Sequence, residues 1–171
     1  MTQHTRRIDR ITAPEYVAGV DDRSLDDLRV MERECLEVET EVSYVRRLAQ
    51  GRIDILEAER DRRAAGGALG DLIAALPKIL ADDTGSRGDV TNTRAQPVLA
   101  PSASIEWNRG LERLISDGTL ANLPNLTDAE LQATLEQLRE LEREVSHQRR
   151  GVHAALDAVT RAIATQLART G

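Results

Sequence analysis

The chain has 171 residues, a net charge of −6 and 23 Lys+Arg against 29 Asp+Glu, an acidic balance that argues against a general nucleic-acid binder, whose electrostatic footprint is basic. Aromatics make up 2% with no phenylalanine, while 40% is hydrophobic and 30% charged, so the apolar residues are mostly Leu, Ala, Val and Ile. With 11 Gly and 5 Pro, this composition points to an all-α protein of long helices and away from sandwiches, barrels and α/β domains. The one cysteine, Cys35, excludes an intramolecular disulfide framework and fits a reducing cytoplasm. No signal peptide or membrane span is expected: MTQHTRRIDR has no apolar core, and the most apolar stretch, 68–81, contains Asp71, Pro77 and Lys78.

Residues 1–23 carry no sustained periodicity and contain Pro14, so they read as an N-terminal tail or a short docking element. The first strong signal spans 24–65. Ser24-Leu25-Asp26-Asp27 resembles a capping box with Asp in place of Glu. Heptad a positions follow at Leu28, Cys35, Val42, Ala49 and Leu56, with d positions at Met31, Val38 and Val45. Arg52 breaks the d series. Arg60, Arg62 and Arg63 suit the helix dipole at the C-terminal end, and Gly66-Gly67 are expected to stop the helix.

Within 66–126, residues 68–81 predict a short amphipathic helix, with 71–80 a candidate second docking element. Residues 82–104 have a turn-rich, core-poor composition expected of a disordered linker. Residues 105–118 predict another short helix, whose Trp107, Ile105, Leu111 and Leu114 make an apolar face suited either to packing on the hairpin or to anchoring a partner. Thr127-Asp128-Ala129-Glu130 is a full capping box opening the second long helix, 127–168. Its a positions are Leu131, Leu138, Val145, Val152 and Val159, and its d positions Thr134, Leu141, Gln148, Ala155 and Ala162.

The two long segments are copies. A shift of 103 residues superposes Ser24 on Thr127, Glu37 on Glu140, Glu39 on Glu142, Glu41 on Glu144, Ser43 on Ser146, Arg46 on Arg149, Arg47 on Arg150 and Asp54 on Asp157. Shared heptads explain the apolar matches but not the polar ones, so an internal duplication is the simplest account. Within each copy the polar residues keep one rhythm: Glu39, Ser43, Arg46, Gln50, Asp54, and Glu142, Ser146, Arg149, His153, Asp157. At ~100° per residue these steps hold five side chains within roughly 80° of arc. They lie at e, b, e, b and f, beside the seam.

If the helices pair antiparallel, e positions face each other and both stripes share one lateral face. The expected register sets Glu39 near Asp157 and Asp54 near Glu142. Such a face offers arginines to grip phosphate or stack on a base, and carboxylates to accept from guanine N1–H and N2–H2. A solvated face with intrahelical pairs is the plainer alternative for one copy, but two copies with the same residues favour a site. No phosphate loop, GxSxG, HExxH or Cys/His arrangement appears, so an enzyme is not expected. His4, His147, His153 and Cys35 lack ligand spacing, so no metal is expected. Gly51 and Gly151 fall inside the helices, where each costs about 1 kcal/mol against Ala and can admit a close backbone approach.

The repeated E-x3-S-x2-R-x3-Q-x3-D pattern resembles the cyclic di-GMP-binding signature of the RsiG-type anti-sigma factors of actinobacteria, matching fully at 39–54 and with His153 for Gln at 142–157. The resemblance covers the two long helices only. It implies a long antiparallel two-helix coiled-coil hairpin that binds an intercalated cyclic di-GMP dimer through the ten stripe residues. It also implies that the ligand-bound form sequesters WhiG, the sporulation sigma factor, with no direct nucleic-acid contact. The rival reading is a structural coiled-coil adaptor with no small ligand.

Overall fold

The computed structural model describes residues 6–82 and 122–170. Among them there is no strand. The elements are α1 (Arg7–Thr12), η1 (Pro14–Tyr16), η2 (Val20–Asp22), α2 (Leu25–Ala64), α3 (Leu69–Asp82), η3 (Leu123–Asn125) and α4 (Asp128–Thr170), where η marks a 3-10 turn. The expected linker beyond Asp82 and the expected helix at 105–118 lie outside the described residues.

Both long helices begin where their caps predict. Ser24 Oγ accepts from the Asp27 amide at 3.1 Å and donates to the Asp27 carboxylate at 2.6 Å. At the second cap the exchange is reciprocal: the Glu130 amide donates to Thr127 Oγ1 at 3.2 Å, and Glu130 accepts from the Thr127 amide at 2.8 Å. That backbone bond, with one from the Thr127 hydroxyl, lowers the Glu130 carboxyl below its ordinary range. The end of α2 is closed by Gly66, whose φ of 68° admits the left-handed turn, and by the Gly67 amide donating to Arg62 O at 3.0 Å.

The chain divides into two compact units, Met1–Ser43 with Val145–Gly171, and Tyr44–Glu144. In each, a stretch of α2 packs against a stretch of α4, and residue numbers rise on α4 as they fall on α2. The hairpin is therefore antiparallel. All ten predicted a positions are buried, as are Met31, Val38, Val45, Leu141, Ala155 and Ala162 among the d positions. Two d positions differ: Gln148 is half-buried, and Leu135, not Thr134, is fully buried near the start of α4. A straight helix drifts against a seven-residue repeat, and here the leucine one step on takes the inward place. Thr134 instead donates its hydroxyl to Glu130 O at 2.8 Å.

The second unit also buries charge in its seam. Arg52 keeps only 7% of its surface, with Nη1 donating to Leu48 O at 3.4 Å. At the next d position Glu59 is wholly buried between Arg62, at 2.7 Å, and Arg63, at 2.6 Å. Hydrogen bonds from Arg62 and then Arg63 outweigh burial and hold the Glu59 carboxyl down at about 2. Arg63 further donates to Leu126 O at 2.7 Å, Leu123 O at 3.1 Å and the Asp128 carboxylate at 2.8 Å. Arg63 thus ties α2 to the turn before α4, beyond the dipole role expected of it.

In the first unit, residues 6–23 form a strap with defined structure. Ile11 is 1% exposed and Val20 joins a core cluster with Leu28, Met31, Val159 and Ala162. Arg7 pairs with Glu37 at 2.7 Å and Glu41 at 3.7 Å, and Arg10 pairs with Glu34. Burial pushes the Glu41 carboxyl up, with Arg7 opposing it. Tyr16 donates to Glu34 at 3.0 Å, and burial raises its phenol well above the usual range. Glu34 and Glu41 are g positions, as is Gly151 on α4, so the strap fills the lateral groove opposite the e positions.

Candidate functional site

Seven of the ten stripe residues meet in two half-sites, one in each unit: Glu39, Ser43, Arg149 and His153 in the first, and Arg46, Gln50 and Glu142 in the second. In the first, Glu39 Oε1 is a hub. Ser43 donates to it at 2.7 Å, Arg149 Nε reaches it at 3.4 Å while donating to Ser43 Oγ at 3.0 Å, and His153 Nε2 lies 3.3 Å away. Glu39 and Ser43 are buried, whereas Arg149, His153 and Ser146 are half-buried and Asp157 is exposed. In the second half-site Glu142 Oε1 takes the same place. Arg46 Nη1 lies 3.8 Å from it and Gln50 Nε2 donates to it at 3.5 Å. Asp54 is half-buried in the same unit.

The two sets of contacts correspond residue for residue under the shift of 103: Glu39 with Arg149 and His153, and Glu142 with Arg46 and Gln50. Antiparallel pairing through e positions is as the sequence led one to expect. The partner of each glutamate is not. Glu39 meets Arg149 and His153, where the sequence register set it near Asp157, one turn further along α4. Opposite charges across the seam attract, and two carboxylates would repel.

Several buried polar atoms on the stripe lack a hydrogen-bond partner. In the first half-site these are Glu39 Oε2 and His153 Nε2, the latter near Glu39 Oε1 but poorly aligned with it; in the second it is Arg46 Nε. Buried polar atoms in folded proteins are nearly always satisfied, so each orphan calls for a cause. Their chemistry is complementary to a mixed ligand: Glu39 Oε2 requires a donor, Arg46 Nε an acceptor, and the imidazole nitrogen serves as either. No sequence pattern announces an orphaned atom. Only the e-position spacing of opposite charges hinted that these side chains would meet.

Among the described residues, no His, Cys, Asp and Glu group is arranged to hold a metal ion, and no helix is long and apolar enough to cross a membrane. His147 is exposed and Cys35 is buried. His4 lies outside the described residues. Gly151, inside α4, has Thr12 of the strap as its close neighbour.

Residues 14–80 match the sequence profile of the RsiG-like family, a stretch that contains the first motif copy and ends before the second. The match supports an RsiG-type anti-sigma factor. No curated protein matches the chain.

Proposed function

We propose that this RsiG-like chain is a cytoplasmic anti-sigma factor that binds cyclic di-GMP along the stripe and, so loaded, sequesters a sporulation sigma factor of the WhiG type. The observation that carries the ligand reading is the set of orphaned atoms at Glu39, Arg46 and His153. A guanine nucleotide phosphodiester supplies what they lack: N1–H and N2–H2 as donors, and phosphate oxygens, O6 and N7 as acceptors. Each half-site carries the same residue types, with His153 for Gln50, so each offers a guanine nucleotide the same set of groups. In this reading Arg46 and Arg149 contact phosphate or stack on guanine, and Asp54 and Asp157 accept from guanine edges. Glu39, Glu142, Ser43, Ser146, Gln50 and His153 complete the polar lining. In this reading the role of the stripe is binding, not catalysis.

Titration calorimetry of the full chain with cyclic di-GMP tests the ligand, and a pull-down of the WhiG-type sigma factor with and without it tests the arming. The expected result is binding heat in the parent, none in Arg46→Ala, and sigma retention only when ligand is present. Absence of heat in the parent would overturn the ligand assignment and leave the coiled-coil adaptor. Ligand-independent sigma retention would overturn the arming step alone.

A further inference from the structure

The two motif copies differ at a single position, Gln50 against His153, and the difference falls on the same contact in both half-sites. Gln50 meets Glu142 through an amide N–H that is present at every pH, donating at 3.5 Å. His153 brings Nε2 to 3.3 Å from Glu39 Oε1, yet that nitrogen is buried without a hydrogen-bond partner. Glu39 is buried too, and its donors crowd onto one oxygen. Ser43 and Arg149 both reach Oε1, whereas Oε2 has no partner. A neutral imidazole donates from only one of its nitrogens, so it cannot serve Glu39 and a second acceptor together. An imidazolium donates from both.

Charge balance points the same way. The stripe holds four carboxylates, at Glu39, Asp54, Glu142 and Asp157, against two guanidiniums, at Arg46 and Arg149. A face meant to receive a phosphodiester thus carries an excess of negative charge. Among the residue types on the stripe, imidazole is the one that ordinarily changes charge between about pH 5 and pH 8. From α2, His153 is faced by Glu39. On α4 itself, Arg149 and Arg150 stand one turn before it and Asp157 one turn after, while the strap lies in the groove on the other side of the seam. The two arginines disfavour an imidazolium here, and the two carboxylates favour it. A bound phosphodiester adds negative charge and tips the balance further towards the protonated ring.

We propose that His153 is a proton-linked ligand contact: cyclic di-GMP binds with uptake of one proton by His153, so the protein holds its ligand more tightly as pH falls through the imidazole range. The inference rests on the ligand reading above. The proton comes from solvent, and the ring then donates to Glu39 and to a ligand acceptor at once. This leaves Glu39 Oε2 to accept from a guanine edge. The complex retains the proton to higher pH than the free chain does. The gain in affinity is therefore complete below the imidazole range and is lost as pH rises through it. Gln50 has no such proton to take up, so the dependence belongs to the first half-site alone.

Titration calorimetry of the full chain with cyclic di-GMP tests it, run at about pH 6 and about pH 8 and in buffers of different ionisation enthalpy. The parent is expected to bind about ten-fold more tightly at the lower pH, the worth of one charge-assisted hydrogen bond, and to draw a proton from the buffer as it binds. His153→Gln installs the residue that the first motif copy already carries at this place in the helix, so it is expected to fold as the parent does. Its affinity should be the same at both pH values, with no proton uptake. Equal affinities in the parent, or a pH dependence that persists undiminished in His153→Gln, would overturn the proposal and leave the ligand reading standing. No binding heat at either pH would overturn the ligand reading and this inference with it.

Discussion

A Cβ placed on Gly151 would lie 2.8 Å from Thr12 Cγ2, so α4 accepts the strap only because residue 151 has no side chain. Thr12 cannot swing aside at no cost, because its hydroxyl donates to Ile8 O at 2.8 Å and fixes the rotamer. Gly151→Ala gains about 1 kcal/mol of helix propensity and loses it to this clash. The expected outcome is a coupling of about 1 kcal/mol between Gly151→Ala and Thr12→Ala in a double-mutant cycle read by denaturant unfolding. Additive effects would show that the strap does not touch α4 in solution.

Two kinds of contact hold the strap, and their magnitudes differ. The Arg7 and Arg10 pairs are about half exposed on the arginine side, and such pairs are worth about 0–1 kcal/mol. Ile11, 1% exposed, is worth about 2–5 kcal/mol against alanine. Ile11→Ala is therefore expected to raise amide exchange across residues 7–16 far more than Arg7→Ala does. The reverse order would mean that the strap is held by charge.

Stripe substitutions should separate by burial. Asp157 is exposed, so Asp157→Ala should leave the melting temperature nearly unchanged. Arg149→Ala strips a donor from the buried Glu39 and Ser43 and should cost about 1–3 kcal/mol of stability as well as ligand binding. Restoring binding in Arg149→Ala with stabilising changes elsewhere would show that the arginine acts only through the fold.

Glu59 predicts an acid dependence. Its carboxyl titrates at about 2 when folded against an ordinary 4.5, so the unfolded chain takes up the proton first on acidification. The stabilisation is complete above pH 4.5 and is lost as pH falls toward 2. Glu59→Gln should lower stability at neutral pH by about 1.5–3 kcal/mol and flatten the fall in melting temperature over that window. An unchanged slope would mean that other carboxylates carry it.

The seam was legible because ten a positions repeat without a gap, and apolar periodicity is the signal burial leaves in sequence. The strap was not: Ile11 and Val20 bury their side chains from a helix of 6 residues and a 3-10 turn, too short to show a period. Glu59 was illegible for another reason. A glutamate at a d position reads as a break, and its burial depends on Arg62 and Arg63, which read as exposed cations. In the stripe, spacing placed Glu39 and Arg149 on facing edges. Which of Arg149, His153 or Asp157 it would meet depended on a register that charge, not periodicity, decides.

Arg63 bears on that register. A seam of Leu, Val and Ala repeating every seven residues buries almost as much after slipping by one repeat, about 10 Å along the axis. Such a slip in the second unit would carry Glu142 past Arg46 and Gln50 and dissolve the half-site while leaving helicity and burial almost intact. Arg63 is the indexing tooth that resists it, since its acceptors across the seam, Leu123 O, Leu126 O and the Asp128 carboxylate, sit together at the turn that opens α4.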